Sequence, residues 1–128
     1  GAWQTRDLNT LTGNAGARVS VASNQFTLQI GKYMILASAP GNEVLSHQAR
    51  IFNITDTVEA GLGTSETSDG NNNRLTTRSH VSCYVDVTSA KVFELQHRCQ
   101  RRETTDGYGV AAGFGDEVYS MVTIYVLE

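Results

Sequence analysis

Long apolar runs, surplus cations, clustered cysteines and helical periodicity are all missing from this sequence, and each absence removes a class of protein. No apolar stretch approaches the ~18–20 residues that a membrane helix requires, and no charged-then-apolar leader opens the chain, so neither membrane insertion nor a signal peptide is expected. The Gly1-Ala2 start reads as the remnant of a cleaved expression tag. Only 10 Lys and Arg stand against 13 Asp and Glu, leaving a net charge of -3. Non-specific nucleic-acid affinity comes from clustered cations that displace counterions, so no nucleic-acid partner is expected. Two cysteines, Cys83 and Cys99, are too few for a disulfide framework. Both alternate with apolar residues, which places them as buried free thiols; a Cys83–Cys99 bridge is the alternative that an oxidising compartment would favour.

Motifs of catalysis are missing too. There is no G-x-S-x-G, H-E-x-x-H, C-x-x-C or phosphate loop. Gly107 to Gly115 is glycine-rich, yet it precedes a strand and offers no helix N-terminus to a pyrophosphate. His47, His80 and His97 fall singly in three separate strands, which fits structural histidines better than a metal centre. Asp69 to Asn73 lacks the spaced acids of a calcium loop and reads as a polar turn. The Asn53-Ile54-Thr55 sequon is frequent by chance and carries no weight. No catalytic residue, metal or cofactor is assigned.

What is present is strand signal. Leu, Ile, Val and Phe account for 30 of the 128 residues, enough to bury a core. They recur with period two in Phe26-Leu28-Ile30, Tyr33-Ile35-Ala37, Ala49-Ile51, Val81-Cys83-Val85 and Val118-Val122-Ile124-Val126, the signature of half-buried strands. Turn formers separate these runs at Gly13-Asn14, Gly31-Lys32, Pro40-Gly41-Asn42, Thr64 to Asn73 and Gly107 to Gly115. The spacing predicts eight to ten strands: Trp3 to Leu11, Arg18 to Val21, Phe26 to Ile30, Tyr33 to Ala39, Val44 to Asn53, Val58 to Leu62, Arg74 to Val87, Lys91 to Gln100 and Glu117 to Leu127. Many short strands in one domain of this size mean an all-β sandwich or jelly roll. The last strand is apolar on both faces, and its odd positions Tyr119, Met121, Tyr125 and Leu127 call for a cover that a neighbouring subunit would supply.

The segments Gly31-Lys-Tyr-Met-Ile-Leu-Ala-Ser-Ala-Pro40, His47-Gln-Ala-Arg-Ile-Phe-Asn-Ile-Thr-Asp56, Gly63-Thr-Ser-Glu66, Phe93-Glu-Leu-Gln-His-Arg-Cys99 and Gly107-Tyr-Gly-Val-Ala-Ala-Gly-Phe-Gly115, followed by Glu117-Val-Tyr119, resemble the C-terminal jelly-roll domain of bacteriophage tail and head fibres. The resemblance spans Trp3 to Leu127. It implies a ten-stranded jelly roll like that of complement C1q and tumour necrosis factor, packed as a homotrimer on the virion surface, where it contacts other virion proteins and a host cell-surface glycan or protein receptor. It transfers no catalytic or ligand residue. Binding is expected in two loops: Ser65 to Arg74, with Asp69, Asn72 and Arg74, and Thr104 to Gly115, where Tyr108 and Phe114 stand among glycines. Rival readings are a capsid or head-fibre decoration protein, a secreted C1q/TNF-like binding module, and a cupin-type metalloenzyme.

Overall fold

A computed structural model describes residues 1–13, 16–69 and 75–128. Among these residues ten strands follow one another: β1 (Gln4–Thr5), β2 (Val19–Ala22), β3 (Gln25–Leu28), β4 (Gly31–Asn42), β5 (Leu45–Asn53), β6 (Val58–Leu62), β7 (Glu66–Ser68), β8 (Thr76–Val87), β9 (Lys91–Cys99) and β10 (Met121–Val126). The only helical turn among the described residues is a 3-10 turn at Gly16–Arg18. Two antiparallel sheets face each other. One runs β2-β3-β9-β5-β6, with β1 added on β9 and β7 on β5; the other runs β10-β4-β8. The all-β expectation and the count of ten strands both hold.

The pairings β3 with β9, β4 with β8 and β5 with β6 are nested, as if one long hairpin had been rolled up so that successive strands fall in opposite sheets. The β3–β9 and β4–β8 pairings join strands far apart in the chain, so the core must hold the wrap together. The alternating residues predicted to point inward do so. Tyr33, Ile35, Ala37 and Ala39 of β4 face Phe26, Leu28, Ala49, Ile51, Phe93 and Leu95 of the larger sheet, all at most 5% exposed. Phe26 and Phe93 stack with ring centroids 5.5 Å apart. Cys83 and Cys99 are unbridged and half-buried, and burial pushes both thiols up from their ordinary pKa. Asn53 of the sequon is buried, its side chain closing the β5–β6 turn on Asp56 through bonds of 2.9 and 3.0 Å.

Several strand limits differ from expectation. The strand expected over Trp3 to Leu11 shrinks to Gln4–Thr5, because Arg6 turns into the interior. The turn expected at Pro40-Gly41-Asn42 is instead strand, and β4 continues through Asn42 opposite Thr76. Proline is tolerated there because β10 has already ended at Ser38 and the Pro40 carbonyl, on the side away from β8, accepts from Arg6 at 2.8 Å. Glu66–Ser68, expected as loop, adds as a short strand to β5. The last strand begins at Met121 and not at Glu117.

The two outer faces differ in character. On the larger sheet the outer face is mostly a polar ladder, with Leu62 exposed opposite Arg50: Gln25 and Gln96 donate to Glu94, and Arg50 donates to Gln96 and lies between the Trp3 and Phe52 rings at 4.1 and 4.4 Å. On the smaller sheet the outward positions bring Leu36, Tyr84, Met121 and Tyr125 to solvent, 40–53% exposed.

Candidate functional site

The register of the sheets gathers the loops. The end of β9, the start of β5, the end of β4 and the starts of β8 and β10 all lie at one end of the sandwich. The described part of the first loop, Ser65 to Asp69, and the Thr104 to Gly115 loop therefore both lead from this end. Backbone bonds tie the β4–β5 crossing to its neighbours: Asn42 N–H donates to the Gly107 carbonyl at 2.9 Å, Arg101 N–H to Val44 at 2.9 Å, and Glu43 N–H to Leu75 at 3.3 Å. The crossing from β4 to β5 is made by left-handed residues, Glu43 at φ 57° and Leu45 at φ 63°. Gly41 permits the close approach below it, since a Cβ there would sit 2.8 Å from Val44 and 3.0 Å from the His47 ring.

Beneath this end lies a chain of buried polar groups. Arg6 is 2% exposed, and its guanidinium donates to the Pro40 carbonyl (2.8 Å), the Tyr108 carbonyl (2.8 Å) and His97 Nδ1 (2.9 Å). A guanidinium only donates, so His97 Nδ1 carries no proton and its Nε2–H must donate onward to His47 Nδ1, 2.8 Å away. The same logic makes His47 Nε2–H donate to Thr77 Oγ1 at 2.7 Å, whose hydroxyl donates to the Thr67 carbonyl at 3.2 Å. One donor fixes both tautomers. Desolvation, reinforced by the charge of Arg6, brings His97 down to about 3 and lowers His47. Burial likewise brings Arg6 down to about 10. Both histidines are held neutral, and the chain ties β1, β4, β5, β8, β9 and the Tyr108 loop into one unit.

Above it, the Arg6 guanidinium lies 4.0 Å from the centroid of the Tyr108 ring, a cation–π contact that fixes Tyr108 while leaving it 44% exposed. Phe114 is 96% exposed, on a loop clamped by the Glu117 carboxylate, which accepts from Ala112 N–H at 2.8 Å and Gly113 N–H at 2.9 Å. Those bonds hold Glu117 below its ordinary pKa. Tyr119, predicted on the outer strand face, belongs to this end instead: its ring fills the space that a Cβ at Gly109 would need, and Arg78 holds its carbonyl. Met121, Tyr125 and Leu127 do point outward and are exposed. Asp69 is half-buried beside the buried Ser68. Asn72 and Arg74 lie outside the described residues.

The site thus combines two exposed aromatic side chains on pinned backbone with polar rims. Among the described residues no three His, Cys, Asp or Glu side chains gather as metal ligands. Sequence reasoning singled out Tyr108 and Phe114, which the structure leaves exposed, but missed Arg6, for which it offers no signal; the inward alternation of Phe93, Leu95 and His97 was the available clue to the histidine. Compared with models of known protein families the chain matches none, and no similar sequence was found among curated proteins.

Proposed function

We propose that this chain is a non-enzymatic virion-surface module, a jelly-roll trimer that forms a fibre tip and attaches to the host cell through the loops at one end. The outer face of the β10-β4-β8 sheet carries the proposal. Leu36, Tyr84, Met121 and Tyr125 bring four apolar side chains to the solvent face of this sheet, among Ser82 and Thr123, while the other sheet's outer face is mostly a hydrogen-bonded polar ladder. Aromatic residues and Met are what interface cores favour, and covering them also closes the unpaired edge of β10. The nested strand pairing supports the jelly roll, and the ordered string resemblance to phage fibre domains supports the setting. Three copies in one assembly would present several Phe114 and Tyr108 side chains, so that weak single contacts add by avidity.

Sedimentation equilibrium at micromolar concentration should give three times the 13.9 kDa chain mass; a monomer overturns the trimer. Met121→Lys should dissociate it, because an unpaired cation enclosed at an interface costs on the order of several kcal/mol. Phe114→Ala, at a side chain 96% exposed, should leave the melting temperature unchanged while lowering adsorption of the labelled trimer to host cells severalfold. Labelling of virions with antibody at the capsid alone, with no adsorption of the free protein, would favour the decoration reading.

A further inference from the structure

The crossing from β4 to β5 is held in a conformation that its own residues disfavour. Asn42, Glu43 and Val44 are 0%, 5% and 2% exposed, and the left-handed φ angles of Glu43 and Leu45, 57° and 63°, carry a steric cost for any residue with a Cβ. Glu43 bears a second penalty. Its Oε2 accepts from Asn42 Nδ2 at 3.3 Å, but Oε1 is buried with no hydrogen-bond partner, the only such side-chain atom among the described residues. Backbone strain of this kind persists only where the surroundings over-determine it. Here the surroundings come from two sides. At the first loop, Ser68 Oγ accepts from Val44 N–H at 2.9 Å, the Leu75 carbonyl accepts from Glu43 N–H at 3.3 Å, and Thr76 Oγ1 donates to Asn42 Oδ1 at 2.9 Å. At the second, the Gly107 carbonyl accepts from Asn42 N–H and Arg101 N–H donates to the Val44 carbonyl, both at 2.9 Å, while Asp106 Oδ1 accepts from Asn42 Nδ2 at 3.2 Å.

We infer that residues 42–45 form a two-state latch that stays closed only while both loops hold it, so that release of either loop opens the other. Losing the bonds on one side leaves buried polar groups of Asn42, Glu43 or Val44 unpaired. Opening hands those groups to water, solvates the orphaned Glu43 oxygen and frees both left-handed residues in one movement. The bonds to the opposite loop leave from the same three residues, so they break with it. Two discrete arrangements of one buried element are what coupling between separate surfaces requires. The coupling is reciprocal: a ligand that orders one loop lowers the cost of ordering the other, whatever the chemistry of that ligand.

Amide hydrogen exchange of the whole chain, read by NMR, tests the latch. Expected in the parent is one opening shared by Glu43, Val44, Arg101 and Gly109, faster than the opening that exposes Ile35 and Leu95 in the core. Ser68→Ala removes a bond on the first side only. It should speed exchange about fivefold or more at Gly109, whose own bond runs to the Asp106 carbonyl on the second side, and leave Ile35 and Leu95 unchanged. Glu43→Asn tolerates the left-handed region and carries no charge into the interior, so it should slow exchange at Val44, Arg101 and Gly109 together. Acceleration that stops at Val44 in Ser68→Ala overturns the latch, and so does protection by Glu43→Asn on one side alone. Equal acceleration at Ile35 and Leu95 overturns it too, because the whole fold is then what opens. If Ser68→Ala does not fold, Thr76→Val, at an exposed position, removes another bond on the same side and is read at the same amides with the same outcomes.

Discussion

Replacing Arg6 with Ala should cost more stability than any other single change at this end of the sandwich. The substitution removes donors from three acceptors at once, the buried Pro40 carbonyl and His97 Nδ1 and the part-buried Tyr108 carbonyl. Each buried group left unpaired costs roughly 1–3 kcal/mol, so the loss is on the order of 3–5 kcal/mol even where water enters to repair part of it. The cavity and the lost stacking on Tyr108 add to it. A domain of this size then melts more than about 10 °C lower. Arg6→Lys should rescue little, because one ammonium cannot span the fork of a guanidinium. Urea or thermal denaturation reads both variants, and an Arg6→Ala protein within about 1 kcal/mol of the parent would show that the buried network is dispensable.

That network was the least legible part of the molecule, and the reason is geometric. Arg6, His47, Thr77 and His97 come from four strands or their flanks and meet only after the sheets wrap, so no window of sequence contains the pattern. Period two was readable wherever one face is core and the other solvent, as in Val81, Cys83 and Val85 or Val122 and Ile124, because burial imposes it directly. It failed where side chains override the ladder. Arg6 pulls the chain inward after Thr5; Glu117 captures Ala112 and Gly113, and Arg78 captures the Tyr119 carbonyl, so β10 starts four residues late. Glu66–Ser68 pairs with β5 through backbone alone and left no apolar trace. Tyr108 and Phe114 were legible as aromatics among glycines; what sequence could not supply was that Tyr108 is pinned by a cation from the far end of the chain.

Acid should unfold this protein through the same histidines. In the folded state His97 titrates near 3 and His47 below its ordinary 6.5, since desolvation and the positive Arg6 oppose a second charge. Above pH 6.5 neither the folded nor the unfolded chain binds the proton, and these groups contribute no pH dependence. As pH falls below 6.5 the unfolded chain takes up protons that the folded chain refuses, so stability declines progressively towards pH 3. Each proton taken up changes stability by about 1.4 kcal/mol per pH unit, so His97 alone brings a loss on the order of 2–3 kcal/mol by pH 4.5, and His47 acts in the same direction. Glu94 adds to it at lower pH: burial raises its pKa, but hydrogen bonds from Gln25, Gln96 and Thr5 outweigh this and hold the carboxylate below its ordinary value. His97→Gln separates the contributions. Its amide oxygen can accept from Arg6 and its N–H can donate to His47, reproducing the neutral tautomer without a titrating group. Urea unfolding between pH 7 and 4.5 should give a steep decline for the parent and a clearly shallower one for His97→Gln. Equal slopes in the two proteins would mean that His97 is protonated in the fold, and the tautomer chain from Arg6 to Thr77 would then be wrong.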